Sequence, residues 1–213
     1  MLRPTFAALV LAALLSVCSP WQSCGEMISL QSHGCSITLP DDGGWTTLDK
    51  SQYPTKCILL ANDADDQRRL ALYAFSSPGR PSLRGSGKET FLSGYKKSMT
   101  DQRLDIQEVQ ETMVGEWEAL RVRATCADPT NPITVVNLLV AQPGLTLSLV
   151  ITNKNQPAWD DPVISTITSS LAITGKPETT LRPDHSGIHT WVSWMGVGLL
   201  IWALWTFAKP RGK

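Results

Sequence analysis

Trp117-Glu-Ala-Leu-Arg-Val-Arg-Ala-Thr-Cys126 sets Leu120, Val122, Ala124 and Cys126 against Arg121, Arg123 and Thr125. That period of two is a strand with one dry and one wet face. The next run, 133–141, is apolar at nearly every position, which predicts a central strand covered on both sides. Pro143 and Gly144 then close a hairpin to a third strand at 145–152. Three consecutive strands joined this way predict a mostly antiparallel sheet.

Upstream, Cys35 to Leu39 reads as a strand leading into the turn cluster Pro40, Asp41, Asp42, Gly43, Gly44, with a short strand expected at 45–48. Segments 57–61 and 70–75 flank Asn62, Asp63, Ala64, Asp65, Asp66 as a hairpin around its loop. From there to about Gly87 the chain is rich in Ser, Gly, Pro and Arg and has no apolar period, so it reads as a loop. At 88–99 the period becomes helical, with Phe91, Leu92, Tyr95 and Met99 on one face and Lys96 and Lys97 on the other. A strand at 104–109 and a turn near 114–116 precede the strand at Trp117. A second helix is expected from Asp161, with Pro162 at its first position and Val163, Ile164, Ile167 and Leu171 on one side. The expected fold class is α+β, a mostly antiparallel sheet covered by helices.

The two termini suggest an address. Residues 188–208 carry no formal charge and are followed by Lys209, Pro210, Arg211, Gly212 and Lys213. At about 1.5 Å per residue this run covers the roughly 30 Å hydrocarbon core of a bilayer, and the basic tail at 209–213 marks its cytoplasmic end. Near the start, Phe6 to Val17 is apolar, with Arg3 ahead of it and Ser16, Cys18, Ser19 and Pro20 at its end. That is too short to span, and it reads as a signal peptide within 1–25, cut after Cys18 or after Gly25. Leu15-Ser-Val-Cys18 also resembles a lipobox, which would acylate Cys18, but Val17 stands where a small residue is usual. The expected organisation is a signal at 1–25, an extracytoplasmic domain at 26–174, a polar linker at 175–187, a single transmembrane helix at 188–208 and the cytoplasmic tail. The protein would then sit in the cytoplasmic membrane with its domain on the periplasmic side.

The formal charge is zero, yet the terminal segments hold Arg3, Lys209, Arg211 and Lys213, which leaves 15 basic against 19 acidic residues between them. A mildly acidic domain is no partner for nucleic acid, whose phosphates require a clustered basic face. Export would place the cysteines where disulfides persist. Cys35, Cys57 and Cys126 each alternate with apolar neighbours, so they are either small buried hydrophobes or members of a bridge between neighbouring strands. A bridge from Cys35 to Cys57 is the preferred pairing, because those strands are close in sequence; spacing alone does not fix connectivity.

Motifs for chemistry fail one by one. Gly85-Ser-Gly-Lys88 resembles the end of a phosphate loop, but Ser82 stands where that motif needs Gly, and Glu89 where it needs Ser or Thr. Asp63, Asp65 and Asp66 lack the central Gly and distal Glu of a calcium loop and read as a solvated hairpin tip. His33, His185 and His189 are isolated, no paired-cysteine zinc motif is present, and no Gly-x-Ser-x-Gly elbow exposes a serine. A carboxylate pair stays open, since the fold makes its geometry. No catalytic residue, metal ligand or cofactor is assigned. On the apolar C-terminal run, Trp191, Trp194, Trp202 and Trp205 fall within an arc of about 80° at 100° per residue, with Gly198 on the same stripe. Two aromatic belts at the membrane interfaces account for it; a contact face for another helix is the alternative.

Ser36-Ile-Thr-Leu-Pro-Asp-Asp-Gly-Gly-Trp45 resembles the strand and Leu-Pro-x-Gly-Trp opening of the PsbP-like and Mog-type α/β/α sandwiches, a group that includes the DcrB-like bacterial envelope proteins. Gly115 to Arg123, the following hairpin and a helix ending in Ser169-Ser170-Leu171 resemble its second half, so the likeness covers roughly 36–174. The extra Gly before Trp45 departs from the tighter form. The resemblance implies a binding or assembly-assisting module with no shared catalytic residues. The expected function is a membrane-anchored extracytoplasmic protein-interaction module, with membrane lipid contacted through the C-terminal helix and a membrane or envelope protein as partner. A small-ligand or metal-ion binding domain and an envelope hydrolase are the alternatives.

Overall fold

The computed structural model describes residues 25–77, 83, 85–101, 103–126, 133–154 and 157–175. The segments read above as a signal peptide, with Cys18 and Cys24, as a linker beyond Gly175, as a transmembrane span at 188–208 with its tryptophans, and as a basic tail lie outside the described residues. Among the described residues no helix is long and apolar enough to cross a membrane.

Among the described residues, ten strands and two helices make an α+β fold in which every strand pairing is antiparallel. The strands are β1 (Glu26–Leu30), β2 (Cys35–Leu39), β3 (Thr46–Thr47), β4 (Cys57–Asn62), β5 (Arg68–Ser76), β6 (Leu104–Val114), β7 (Trp117–Cys126), β8 (Ile133–Gln142), β9 (Leu145–Lys154) and β10 (Ala172–Ile173); the helices are α1 (Gly85–Asp101) and α2 (Pro162–Ser170). Seven strands form one sheet in the order β3-β4-β5-β9-β8-β7-β6, and β1-β2-β10 form a second, smaller one. The central position expected for β8 holds, with neighbours on both edges and buried side chains on both faces.

Two cores follow from the two faces. On one, Phe91, Leu92, Tyr95 and Met99 of α1 pack on Tyr73, Leu120, Val122, Leu139 and Val150. On the other, Cys35, Ile37 and Leu39 of β2 and Ile164 and Ile167 of α2 pack on Leu70, Leu72, Leu138, Leu149 and Ile151. Each such side chain contributes about 1.5–3 kcal/mol on full burial, so both layers are held chiefly by apolar contact. The architecture is therefore helix, sheet, and then a mixed layer of small sheet and helix, rather than helices alone on both sides. Neither β1 nor β10 shows a strand signal strong enough to read beforehand. β1 is only half covered, and β10 is two residues long.

Boundaries shift in two further places. The segment before Lys88 is not all loop, because α1 begins at Gly85. β6 runs on past 109 to Val114, where Gly115 and Glu116 turn into β7 with Val114 opposite Trp117. The glycine-rich turn after β2 has a geometric purpose. Gly43 and Gly44 take φ of 94° and 57°, and a Cβ on Gly44 would stand 3.1 Å from the Ala64 Cβ. Both residues occupy the left-handed region that favours Gly. The Gly43 carbonyl accepts from the Ala64 amide at 2.9 Å, which ties this turn to the β4–β5 tip.

Candidate interaction surface

The acidic tip between β4 and β5 is a structural clamp. Asp63 is buried; its Oδ1 accepts from the amides of Gln67 (2.8 Å) and Arg68 (3.1 Å), and its Oδ2 takes the Arg68 guanidinium at 3.4 Å. Arg68 Nε donates to Asp161 Oδ2 at 2.6 Å, while Asp161 Oδ1 caps α2 by accepting from the Val163 amide at 2.9 Å. Asn153 Nδ2 completes the set by donating to Asp161 Oδ2 at 3.1 Å. Asp66 receives Arg69 and Lys154. Asp63 and Asp161, through Arg68, pin the hairpin to the start of α2, and Asp65 is exposed at the tip. No group of three or more His, Cys, Asp or Glu able to hold a metal ion occurs among the described residues.

The cysteines are core residues. Cys35 is buried beneath α2, and Cys57 packs with the opposite core, under α1. β2 pairs with β1 and β10, β4 with β3 and β5, and the thiols of Cys35, Cys57 and Cys126 are free. The preferred bridge from Cys35 to Cys57 is thus not formed: strands close in sequence were assigned to different sheets, with the large sheet between the two thiols. Burial pushes the Cys35 thiol up to about 11 and the Cys57 thiol up to about 12, the latter also donating to the Leu59 carbonyl at 3.1 Å. Such thiols are poor nucleophiles. Under α1, Asn137 Nδ2 donates to the Tyr95 hydroxyl at 2.7 Å and Ser148 Oγ donates to Asn137 Oδ1 at 3.0 Å, all three side chains buried. This polar triad fixes α1 over β8 and β9. Lys88, at the start of α1, is spent on Glu111, and His33 lies in a single helical turn beside Ser32. His185 and His189 are outside the described residues, as are Trp191, Trp194, Gly198, Trp202 and Trp205.

What remains open is the far end of the large sheet. β6 is its last strand, eleven residues long, and no described strand pairs with its outer edge. Gln107 forms a bulge, after which the register from Glu108 to Val114 is regular against β7. One face of β6 sends Leu104, Ile106 and Val109 toward α1 and leaves Met113 46% exposed. The other face continues onto β7 as Glu108 opposite Arg123 and Gln110 opposite Arg121. The apolar core of β2 and α2 reaches this face through Val114, Trp117 and Ala119. Arg123 is held by Glu108 at 2.9 Å. Arg121 has no hydrogen-bond partner for its buried Nε; burial and the Arg123 charge both lower its affinity for a proton, against the pull of Glu108. The alternation of 117–126 announced the wet face, but only the sheet order shows it lying at an open edge.

No protein-family model and no curated protein matches the chain. Among solved structures, it is similar to a protein of Bacteroides thetaiotaomicron VPI-5482, with TM-score 0.47 and 12% identity over 73% of this chain and 50% of that one, so it spans about half of that protein's length. It is also similar to LpqN of Mycobacterium tuberculosis, described as involved in cell envelope biogenesis, with TM-score 0.47 and 13% identity over 71% of this chain and 86% of that one. A third is the T6SS immunity protein TplEi of Pseudomonas aeruginosa, with TM-score 0.35 and 14% identity over 62% and 55% of the two chains. None of the three reaches a TM-score of 0.5. The PsbP-like and Mog-type resemblance is not confirmed by these comparisons.

Proposed function

We propose that the chain is a non-enzymatic protein-interaction module of the cell envelope, held at the cytoplasmic membrane by residues 188–208 and facing the periplasm. One observation carries this reading: the outer edge of β6, which no described strand covers, with exposed polar and apolar side chains on its two faces. An edge of unpaired backbone donors and acceptors is a template for an added strand of a partner. The buried carboxylates Asp63 and Asp161 support the same reading, being engaged in fastening the fold. A linker of about a dozen residues would keep the domain near the bilayer, where a membrane or envelope protein is the accessible partner. The test is photo-crosslinking of the full-length chain in its native membranes, with p-benzoylphenylalanine in place of Met113. A discrete adduct with one membrane or envelope protein is expected. Adducts with nothing but lipid, or none at any surface position, would overturn the reading.

A further inference from the structure

We infer that the export signal is removed after Cys18, so that the mature chain begins at Ser19 and keeps Gly25 as part of the domain; this rests on the export reading above. Two cuts fit the sequence, after Cys18 and after Gly25, each with a small residue at the cut and another two positions before it, Ser16 and Ser23. They differ in whether Gly25 survives in the mature chain, and the geometry of Gly25 discriminates between them.

Gly25 stands half-buried directly ahead of Glu26, the first residue of β1, which pairs with Leu39 of β2. A Cβ on Gly25 would lie 2.1 Å from the Leu39 carbonyl oxygen, 2.8 Å from its carbonyl carbon and 2.9 Å from the Pro40 Cα. All three atoms are backbone, so no side-chain rotation relieves the contact. A retained residue 25 therefore has to be glycine. A signal-peptidase cut makes no such demand, because it accepts small residues in general at its last position, alanine among them. The fold thus accounts for glycine here, whereas the processing motif accounts only for a small residue. A cut after Gly25 would also make Glu26 a charged terminus at the start of a five-residue strand at the end of the small sheet. The cut after Cys18 leaves peptide ahead of β1 and Gly25 in its place.

The experiment purifies the full-length chain from its native membranes and reads its N-terminus by intact mass. A mature chain starting at Ser19 is expected. Gly25→Ala keeps a residue that the peptidase accepts, so processing should be unchanged, while the mature chain becomes heavier by one methylene and its urea midpoint falls by on the order of 1 M. Cys18→Gln supplies a readout that does not depend on the stability of that variant. A long side chain at the cut should make unprocessed precursor accumulate, with the domain from Gly25 onward untouched. A mature chain starting at Glu26, a Gly25→Ala chain of wild-type mass, or processing of Cys18→Gln at the wild-type rate overturns the inference. An acylated Cys18, or an uncut chain starting at Met1, overturns it as well. Protease added to spheroplasts keeps the two failures apart: digestion of the domain leaves the export reading standing whatever the cut, and protection of the domain removes it.

Discussion

At the scale of single residues, the buried polar and thiol groups make the sharpest statements. Tyr95→Phe removes the acceptor of Asn137 inside the α1 core and leaves a buried amide unpaired; the expected cost is about 1–3 kcal/mol, read as a lower urea midpoint at unchanged slope. Cys35 and Cys57 should resist alkylation in the native protein and react on unfolding, and mass mapping under non-reducing conditions should find no peptide joining them. Their pH dependence has a definite sign. The folded state holds each thiol proton more tightly than the unfolded chain does. That stabilisation is complete below about pH 9 and is lost as pH rises through about 11 to 12. Burial raises Tyr73 and Tyr95 in the same direction. Urea midpoints should stay level from pH 7 to 8.5 and fall above about pH 9.

Among elements, α2 and β6 illustrate opposite uses of polar groups. Asp161 caps α2 through the Val163 amide and also holds Arg68, so one side chain joins the helix start to the β4–β5 tip. Asp161→Ala should cost on the order of 3 kcal/mol by denaturant unfolding, combining a lost cap with a buried ion pair broken on one side. Asp161→Asn keeps a capping oxygen and should cost less. β6 carries its polar groups outward. Its acidic side chains and the Gln107 bulge guard the edge against unselective pairing, while the regular stretch from Glu108 to Val114 remains long enough for a partner strand. Met113→Lys should leave stability within about 0.5 kcal/mol, because Met113 is exposed, and should weaken capture of the partner; thermal melts and co-purification from membranes check the two halves.

For the whole molecule, the proposed tether predicts that deleting residues 188–213 moves the protein from the membrane pellet to the periplasmic soluble fraction with its domain folded. Much of the architecture was legible in the chain. Alternation placed β2 and β7, apolar runs bounded by turn residues placed β4, β5, β8 and β9, the helical period placed the buried face of α1, and Asp161 with Pro162 placed the start of α2, because these signals are local and repeat over several residues. The small sheet was not legible. β1 and β10 are short or half exposed, and they exist because each pairs with β2, a relation between positions up to 138 residues apart (Cys35 and Ile173) that leaves no periodic trace. The same holds for the cysteines: the sequence determined that Cys35 and Cys57 belong to the core, since apolar neighbours alternate with them, whereas only the tertiary structure decided that they face different cores and that Cys57 is half-buried. The surface divides likewise. By itself the chain determined that Arg121 and Arg123 share a wet face, a consequence of strand geometry. That this face lies at an open sheet edge, with Glu108 paired to one arginine and not the other, follows from strand order and cross-strand register, which long-range packing sets and local pattern does not.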